Sequence, residues 1–346
     1  MSIVALMPHA RTALRHSLQV RPGEDLAILW DETMSPEFVQ ACRIAAAEVG
    51  AKATFVVYEP IAYRPLKEYC FFAGASLKPG GPQIPRVVAG AMEGASAIML
   101  LVSDMEMMFS PLVPRLLGEG RRMLLVPYFD TPTVRRLLPT SAEEIDDQRR
   151  IVEEYGAYFE EGRTAHAWSK EGTDIRLRLG QWEVRRRRGI ADAGEFTILP
   201  AGQVTRVPDD ASAEGVIVID RTIAANDYKE LHEPIALYVK EGNVVRIDGG
   251  VEAKLLREFL SSLDDPRAYH VTELAIGTNP KCRFSGLGAP SEDTHKWGTV
   301  SFALGCDTHL GGGLPGPVHI DMTMRFPSLD IDDRAIVRDG RIVAVA

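Results

Sequence analysis

The chain predicts an α/β N-terminal domain with a mostly parallel sheet, followed by a β-rich α+β C-terminal domain. Three observations carry this. Compact apolar runs alternate with helix patterns over the first half. Short alternating strands with hairpin turns fill the second half. The length of 346 residues exceeds what one hydrophobic core usually holds, so two domains are expected, at 1–165 and 166–346.

The first strand is LAILWD (26–31). A helix follows over residues 35–49, where Ser35 can cap, Pro36 stands in the first turn and Gly50 ends the pattern. ATFVVY (53–58), SAIMLLVS (96–103) and MLLVPYF (123–129) repeat the style of the first strand. Continuous apolar strands separated by helices indicate a parallel sheet covered on both faces. Residues 141–162 read as a long charged amphipathic helix that connects the halves. Beyond it, TDIRLRLG, EVRRRRG, VIVIDR, IALYVKEGNVVRID and AIVRDGRIVAV alternate as half-buried strands do. EGN (241–243) and DG (339–340) are hairpin turns, and VEAKLLREFLSSL (251–263) is a helix among the strands.

Composition narrows the function classes. A net charge of −9 argues against a phosphate-backbone ligand, because nucleic-acid binders need a basic footprint. Cys42, Cys70, Cys282 and Cys306 show no metal-ribbon or disulfide spacing and read as free buried thiols. Neither a signal peptide nor a membrane span is visible, so a cytoplasmic protein without nucleic-acid or membrane partners is expected. GGGLPG (311–316) is followed by no helix, which makes it a tight loop feeding a strand rather than a phosphate loop. The arginine run 185–188 reads as a charged sheet edge, with anion binding beside Arg176 and Arg178 as the alternative. His9, His16, His166, His232 and His270 are isolated and read as surface or capping residues.

The segment PVHIDMTMRFP (317–327) holds the chemistry. Alternation puts His319, Asp321, Thr323 and Arg325 on one strand face and Val318, Ile320, Met322, Met324 and Phe326 on the other, toward a core. An imidazole and a carboxylate two residues apart can share one cation of the zinc, iron or manganese type. A solvated strand face produces the same spacing about as often.

The order TELAIGTNP (272–280), GTVSFALG (298–305), the glycine loop and V-H-I-D resembles the C-terminal half of the aminopeptidase T-type metallopeptidases. It also resembles their iron-dependent 2,5-dihydroxypyridine 5,6-dioxygenase-like branch. LPAGQVTRVPDDASAEGVIVID (199–220), DGGVEAKLLREFL (248–260), GEGRRMLLV and VRRLLP (134–139) extend the resemblance over nearly the whole chain. The resemblance implies that His319 and Asp321 are metal ligands, with Glu273 as the third, in a C-terminal metal-binding catalytic domain. Two further ligands of the two-metal peptidases fall on Gln203 and Ser301, which are poor ligands, so one divalent ion is expected. Fe(II) is favoured, with Mn(II) or Zn(II) as alternatives. One dioxygenase ligand histidine falls on Glu273, and the base histidine on Val102. His309 and His295 are new histidines that could replace that base or complete the metal shell.

The expected activity is the opening of a small hydroxylated or amino-substituted ring, oxygen-dependent as in the dioxygenase branch or hydrolytic. An aminopeptidase-like hydrolase and a non-catalytic binding protein are the alternatives. By resemblance the protein is expected to form a homo-oligomer.

Overall fold

The computed structural model describes residues 3–58, 84–102, 105–127, 129–224, 230–284 and 292–343. The chain forms two compact units. The described residues up to Arg150, together with Arg187–Ala201, form one; Ile151–Arg186 and the described residues from Gly202 onward form the other. The expected single boundary at 165/166 is therefore replaced by an interleaved pair, because a short segment returns to the first unit after the second has begun. The long helix, Ala142–Glu161, starts in the first unit and ends in the second.

Strands are numbered in chain order. The first unit holds β1 (Asp25–Trp30), β2 (Lys52–Val57), β3 (Ala97–Leu101), β4 (Arg122–Leu125) and the returning β8 (Phe196–Ile198). They lie in the order β2-β1-β3-β4-β8, and each neighbouring pair is parallel. The central strand β3 is buried at every position, as covering on both faces requires, while the edge strand β2 is only partly buried. The helix Pro36–Val49 begins as its sequence indicates, with Ser35 Oγ accepting from Phe38 N at 3.2 Å. It ends on Gly50 at φ +78°, the left-handed stop that glycine allows.

The second unit is a pair of antiparallel sheets. One contains β5 (Thr164–Trp168), β6 (Asp174–Arg178), β10 (Glu214–Ile219), β11 (Ile235–Lys240), β12 (Asn243–Gly249), β16 (Ser328–Ile331), β17 (Arg334–Arg338) and β18 (Arg341–Ile342). Their order is β12-β11-β10-β6-β5-β16-β17-β18. The other contains β7 (Arg185–Arg186), β9 (Gln203–Arg206), β13 (Val271–Gly277), β14 (Val300–Gly305) and β15 (His319–Thr323), in the order β15-β14-β13-β9-β7. The arginine run thus stands at a sheet edge, as expected, and Arg186 there pairs with Glu153 and Glu160. Leu274, Ile276, Phe302, Leu304, Ile320 and Met322 from one face of the second sheet share a single core with Ile175, Ile217, Leu237 and Leu329 of the first. At roughly 25 cal/mol per Å2 of apolar surface removed from water, this shared core is what fixes the strands that carry the other face.

One local expectation fails. Phe326 does not continue the core face: β15 ends at Thr323, Phe326 turns at φ +44°, and its side chain is 63% exposed. His9 is buried and takes the capping role: its Nδ1 bonds the carbonyl of Leu138, the C-cap of the helix Thr131–Leu137, at 2.9 Å. Cys42, Cys282 and Cys306 are buried thiols outside any disulfide among the described residues, as expected, while Cys70 lies outside those residues. No helix among the described residues is long and apolar enough to cross a membrane.

Candidate metal centre

The face of the β15-β14-β13-β9-β7 sheet opposite the core carries the site. Directly opposed residues of an antiparallel pair project to the same side. Ala303 of β14 stands opposite Glu273 of β13 on one flank and Asp321 of β15 on the other. Gly305 stands opposite His319. The two carboxylates and the imidazole are therefore arranged around the two smallest residues of β14, and on that strand only the Ala303 methyl group lies between the carboxylates.

Glu273 reaches this face through an irregularity. The ladder shifts between Val271 and Glu273. In a regular strand these two residues would share a face; instead Val271 joins the core and Glu273 points away from it. The extra residue is Thr272, whose hydroxyl donates to the Ala303 carbonyl at 3.3 Å. Bulges of this kind re-aim side chains and sharpen the local twist.

Glu273, His319 and Asp321 offer ligand atoms that all lie within 4.8 Å of one another. His319 Nε2 is 3.3 Å from Asp321 Oδ1 and 3.6 Å from Glu273 Oε2. Its other nitrogen, Nδ1, donates to the Cys306 carbonyl at 2.7 Å, which orients the ring with Nε2 toward the carboxylates. Burial works against a charged imidazole here, but the neighbouring Asp321 and Glu273 carboxylates outweigh it and push the His319 pKa up to about 9. The two carboxylates thus favour positive charge on the imidazole beside them.

The loop between β14 and β15 bears His309. Its ring meets the His319 ring edge to face, with centroids 4.3 Å apart. Asp307 organises this loop. Its Oδ1 accepts from Leu314 N at 2.7 Å, and its backbone carbonyl accepts from Leu310 N at 2.8 Å and from Gly312 N at 3.1 Å. A Cβ at Gly312 would come within 2.2 Å of the Asp307 carboxyl, so the glycine there serves close approach within the loop. Burial pushes the Asp307 carboxyl up from its ordinary range.

His295 ends a short helix, Glu292–His295, and is buried. A Cβ at Gly277 would meet the His295 carbonyl carbon at 2.6 Å, so this helix lies over the far end of β13. Gly277 is four residues from Glu273, roughly 13 Å along a strand. The structure brings His309 against His319 and sets the helix that bears His295 over the far end of β13. Gln203 and Ser301 lie in the same sheet, and the Ser301 hydroxyl is buried without a hydrogen-bond partner among the described residues. Val102 is buried in the first unit. Ala303, Asp307 and the Cys306 carbonyl were not singled out by the sequence. Their roles come from register and loop closure, for which the glycines at 311–313 are the one visible signal.

The family model described as 2,5-dihydroxypyridine 5,6-dioxygenase (NicX) matches residues 6–344. The curated 2,5-dihydroxypyridine 5,6-dioxygenase of Pseudomonas putida KT2440 is 28% identical over 339 residues, covering 94% of this chain and 93% of that protein. The solved structure of the 2,5-dihydroxypyridine dioxygenase from Pseudomonas putida KT2440 matches with a TM-score of 0.79 at 25% identity, over 100% of this chain and 99% of that one. The structure of AmpT from Thermus thermophilus matches with a TM-score of 0.68 at 17% identity, over 99% of each chain, and shares the fold.

Proposed function

This chain belongs to the 2,5-dihydroxypyridine 5,6-dioxygenase (NicX) family, and from that premise we propose that it is a metal-dependent enzyme opening a small hydroxylated or amino-substituted aromatic ring. Glu273, His319 and Asp321 are the residues that would hold one divalent ion. The observation that carries this is the convergence of their ligand atoms within 4.8 Å on one sheet face.

The donor set fits such an ion. Two carboxylates and one imidazole offer oxygen and nitrogen without a thiolate, which suits Fe(II) first, and Mn(II) or Zn(II) as alternatives. The raised His319 pKa marks a site that favours positive charge, and the Nδ1 bond to Cys306 leaves Nε2 as the ligating atom. Three protein ligands leave coordination positions open for a substrate. The ion, when bound, supplies Lewis-acid polarisation of a substrate oxygen.

The chain's own residues do the rest. His309, against His319, is placed to carry a proton to or from the ring, since imidazole titrates near neutral pH. His295 is the second candidate for that task, acting from the short helix over β13. The buried Ser301 hydroxyl, on the same sheet face as the cluster, would accept or donate to a polar substituent of the ring.

The test has two stages. Metal content is measured on the purified protein and on Glu273→Ala and His319→Ala. Both variants are expected to lose the ion, and unchanged content in both would sink the ligand assignment. Oxygen uptake with a panel of hydroxypyridines and aminophenols then separates the two chemistries. Uptake that matches product formation supports the oxygen-dependent reaction; product formed under anaerobic conditions assigns the hydrolytic one. Release of N-terminal residues from short peptides, with no reaction on the ring panel, would replace ring opening with the aminopeptidase-like reading.

A further inference from the structure

A second concavity lies within the second unit, at the other end of the β14–β15 hairpin from His319. Gly298 and Thr299, which lead into β14, and Met324 and Arg325, which follow β15, form part of its wall. Its volume is about 800 Å3, within the range of small-molecule sites. Neither the three clustered ligands nor His309 lines it. Met324 follows the end of β15, roughly 10 Å of strand beyond Asp321 and roughly 16 Å beyond His319.

The lining combines aromatic surface with unbalanced positive charge. Phe284, Trp297 and Phe326 supply the rings. Among the described residues, Arg221, Lys296, Arg325 and Arg341 line it together with one carboxylate, Asp339. Glu230, outside the lining, takes both Arg221, at 2.7 Å, and Arg325. Asp220 also acts on Arg325, and Asp293 on Lys296, so carboxylates behind the lining offset part of its positive charge. Asp339 is in turn 3.6 Å from Lys170. The Arg221 guanidinium and the Lys296 ammonium lie over the same Phe284 ring, 4.6 and 5.0 Å from its centre. Each cation is attracted by the ring, but the two repel one another. Burial and the neighbouring Arg221 hold the Lys296 pKa below its ordinary value. In a chain of net charge −9 this is a local concentration of the minority sign, half enclosed by apolar groups. Crowded cations gain little for the fold alone; an anion placed among them relieves the repulsion.

We propose that this cavity is a second binding site, for a small aromatic carboxylate. Its carboxylate is taken by Lys296 and Arg341, and its flat ring by Phe284 and Trp297. Apolar surface with a few converging charges selects a ring bearing one anionic group over an inorganic anion, which gains nothing from the aromatic lining. The site is independent of the metal cluster and of the reaction proposed there.

Calorimetric titration of the full-length protein with benzoate, and with benzamide as the neutral counterpart, tests this. Benzoate is expected to bind, with benzamide about tenfold weaker because the charge-assisted bonds are lost. Lys296→Gln and Arg341→Gln are each expected to weaken benzoate about fivefold or more. Asp321→Asn is expected to leave benzoate affinity within about twofold, since that change lies in the other site. Arg341 is exposed, so Arg341→Gln serves even if Lys296→Gln does not fold, with thermal melting confirming that the variant is intact. Absence of benzoate binding up to about 10 mM, equal affinity for benzamide, full affinity in Arg341→Gln, or loss of binding in Asp321→Asn would each overturn the proposal.

Discussion

Ala303 separates the two carboxylates of the cluster, and its methyl group is the only side chain between them on β14. Ala303→Val would put two methyl groups into the space an ion needs. The expected result is a folded protein, destabilised by about 1–3 kcal/mol from overpacking, whose metal content falls well below that of the parent. Full metal content in a folded Ala303→Val would place the ion elsewhere. Asp307 gives a pH dependence. Burial raises its folded-state pKa above the ordinary 3.8, so its contribution to stability is fully present below that value and is lost as pH rises through the folded pKa. Asp307→Asn keeps an oxygen for Leu314 N and removes the titration. Urea unfolding from about pH 4 to about pH 7 should therefore show the variant gaining on the parent as pH rises. At this scale the sequence was readable where alternation held. His319 and Asp321 share a face as spacing required, and Phe326 escapes it because the strand had already ended. Glu273 was found through resemblance and not through spacing, because the bulge at Thr272 breaks the parity that spacing arguments use.

The β14–β15 hairpin is the element on which the cluster depends. Gly305 has φ +99°, and a Cβ there would lie 2.1 Å from the Val318 carbonyl oxygen. Gly305 is also the partner of His319 across the ladder. Gly305→Ala must therefore push the strands apart where the imidazole is anchored. A loss of about 2–4 kcal/mol in unfolding free energy is expected, together with weaker metal retention. Parent-like melting of Gly305→Ala would show that the close approach is dispensable. Elements such as the helix Pro36–Val49, the EGN turn and the DG turn were legible because cap and turn chemistry is local. At the turns the positive φ values of Glu241, Gly242, Asp339 and Gly340 fall where the residue types predicted them. The loop ordered by Asp307 was not legible, since its bonds to Leu310, Gly312 and Leu314 depend on how the hairpin closes.

Across the whole molecule, the two units are interleaved in sequence. Val152, Tyr155 and Phe159 of the long helix belong to the core of the second unit. A fragment cut at the sequence-based boundary, 166–346, would lose these side chains and Ala165 while carrying β8 away from β4. Such a fragment is expected to lack a cooperative thermal transition, which circular dichroism would reveal; a sharp melt would show that the second unit folds without the helix. The sequence could not disclose this arrangement. The returning strand is only FTI, Phe196–Ile198, too short for a periodicity, and its partner is distant in the chain.

That returning strand has a consequence for synthesis. Leu125 of β4 is paired with Ile198 of β8, and 70 residues lie between the end of β4 at Leu125 and the start of β8 at Phe196. At roughly 5–20 residues per second, β4 emerges from the ribosome several seconds before the strand that closes its open side. During that interval its outer backbone groups are exposed to any other nascent chain nearby. Yield in a rapidly translating host should then depend on chaperone supply and improve as translation is slowed.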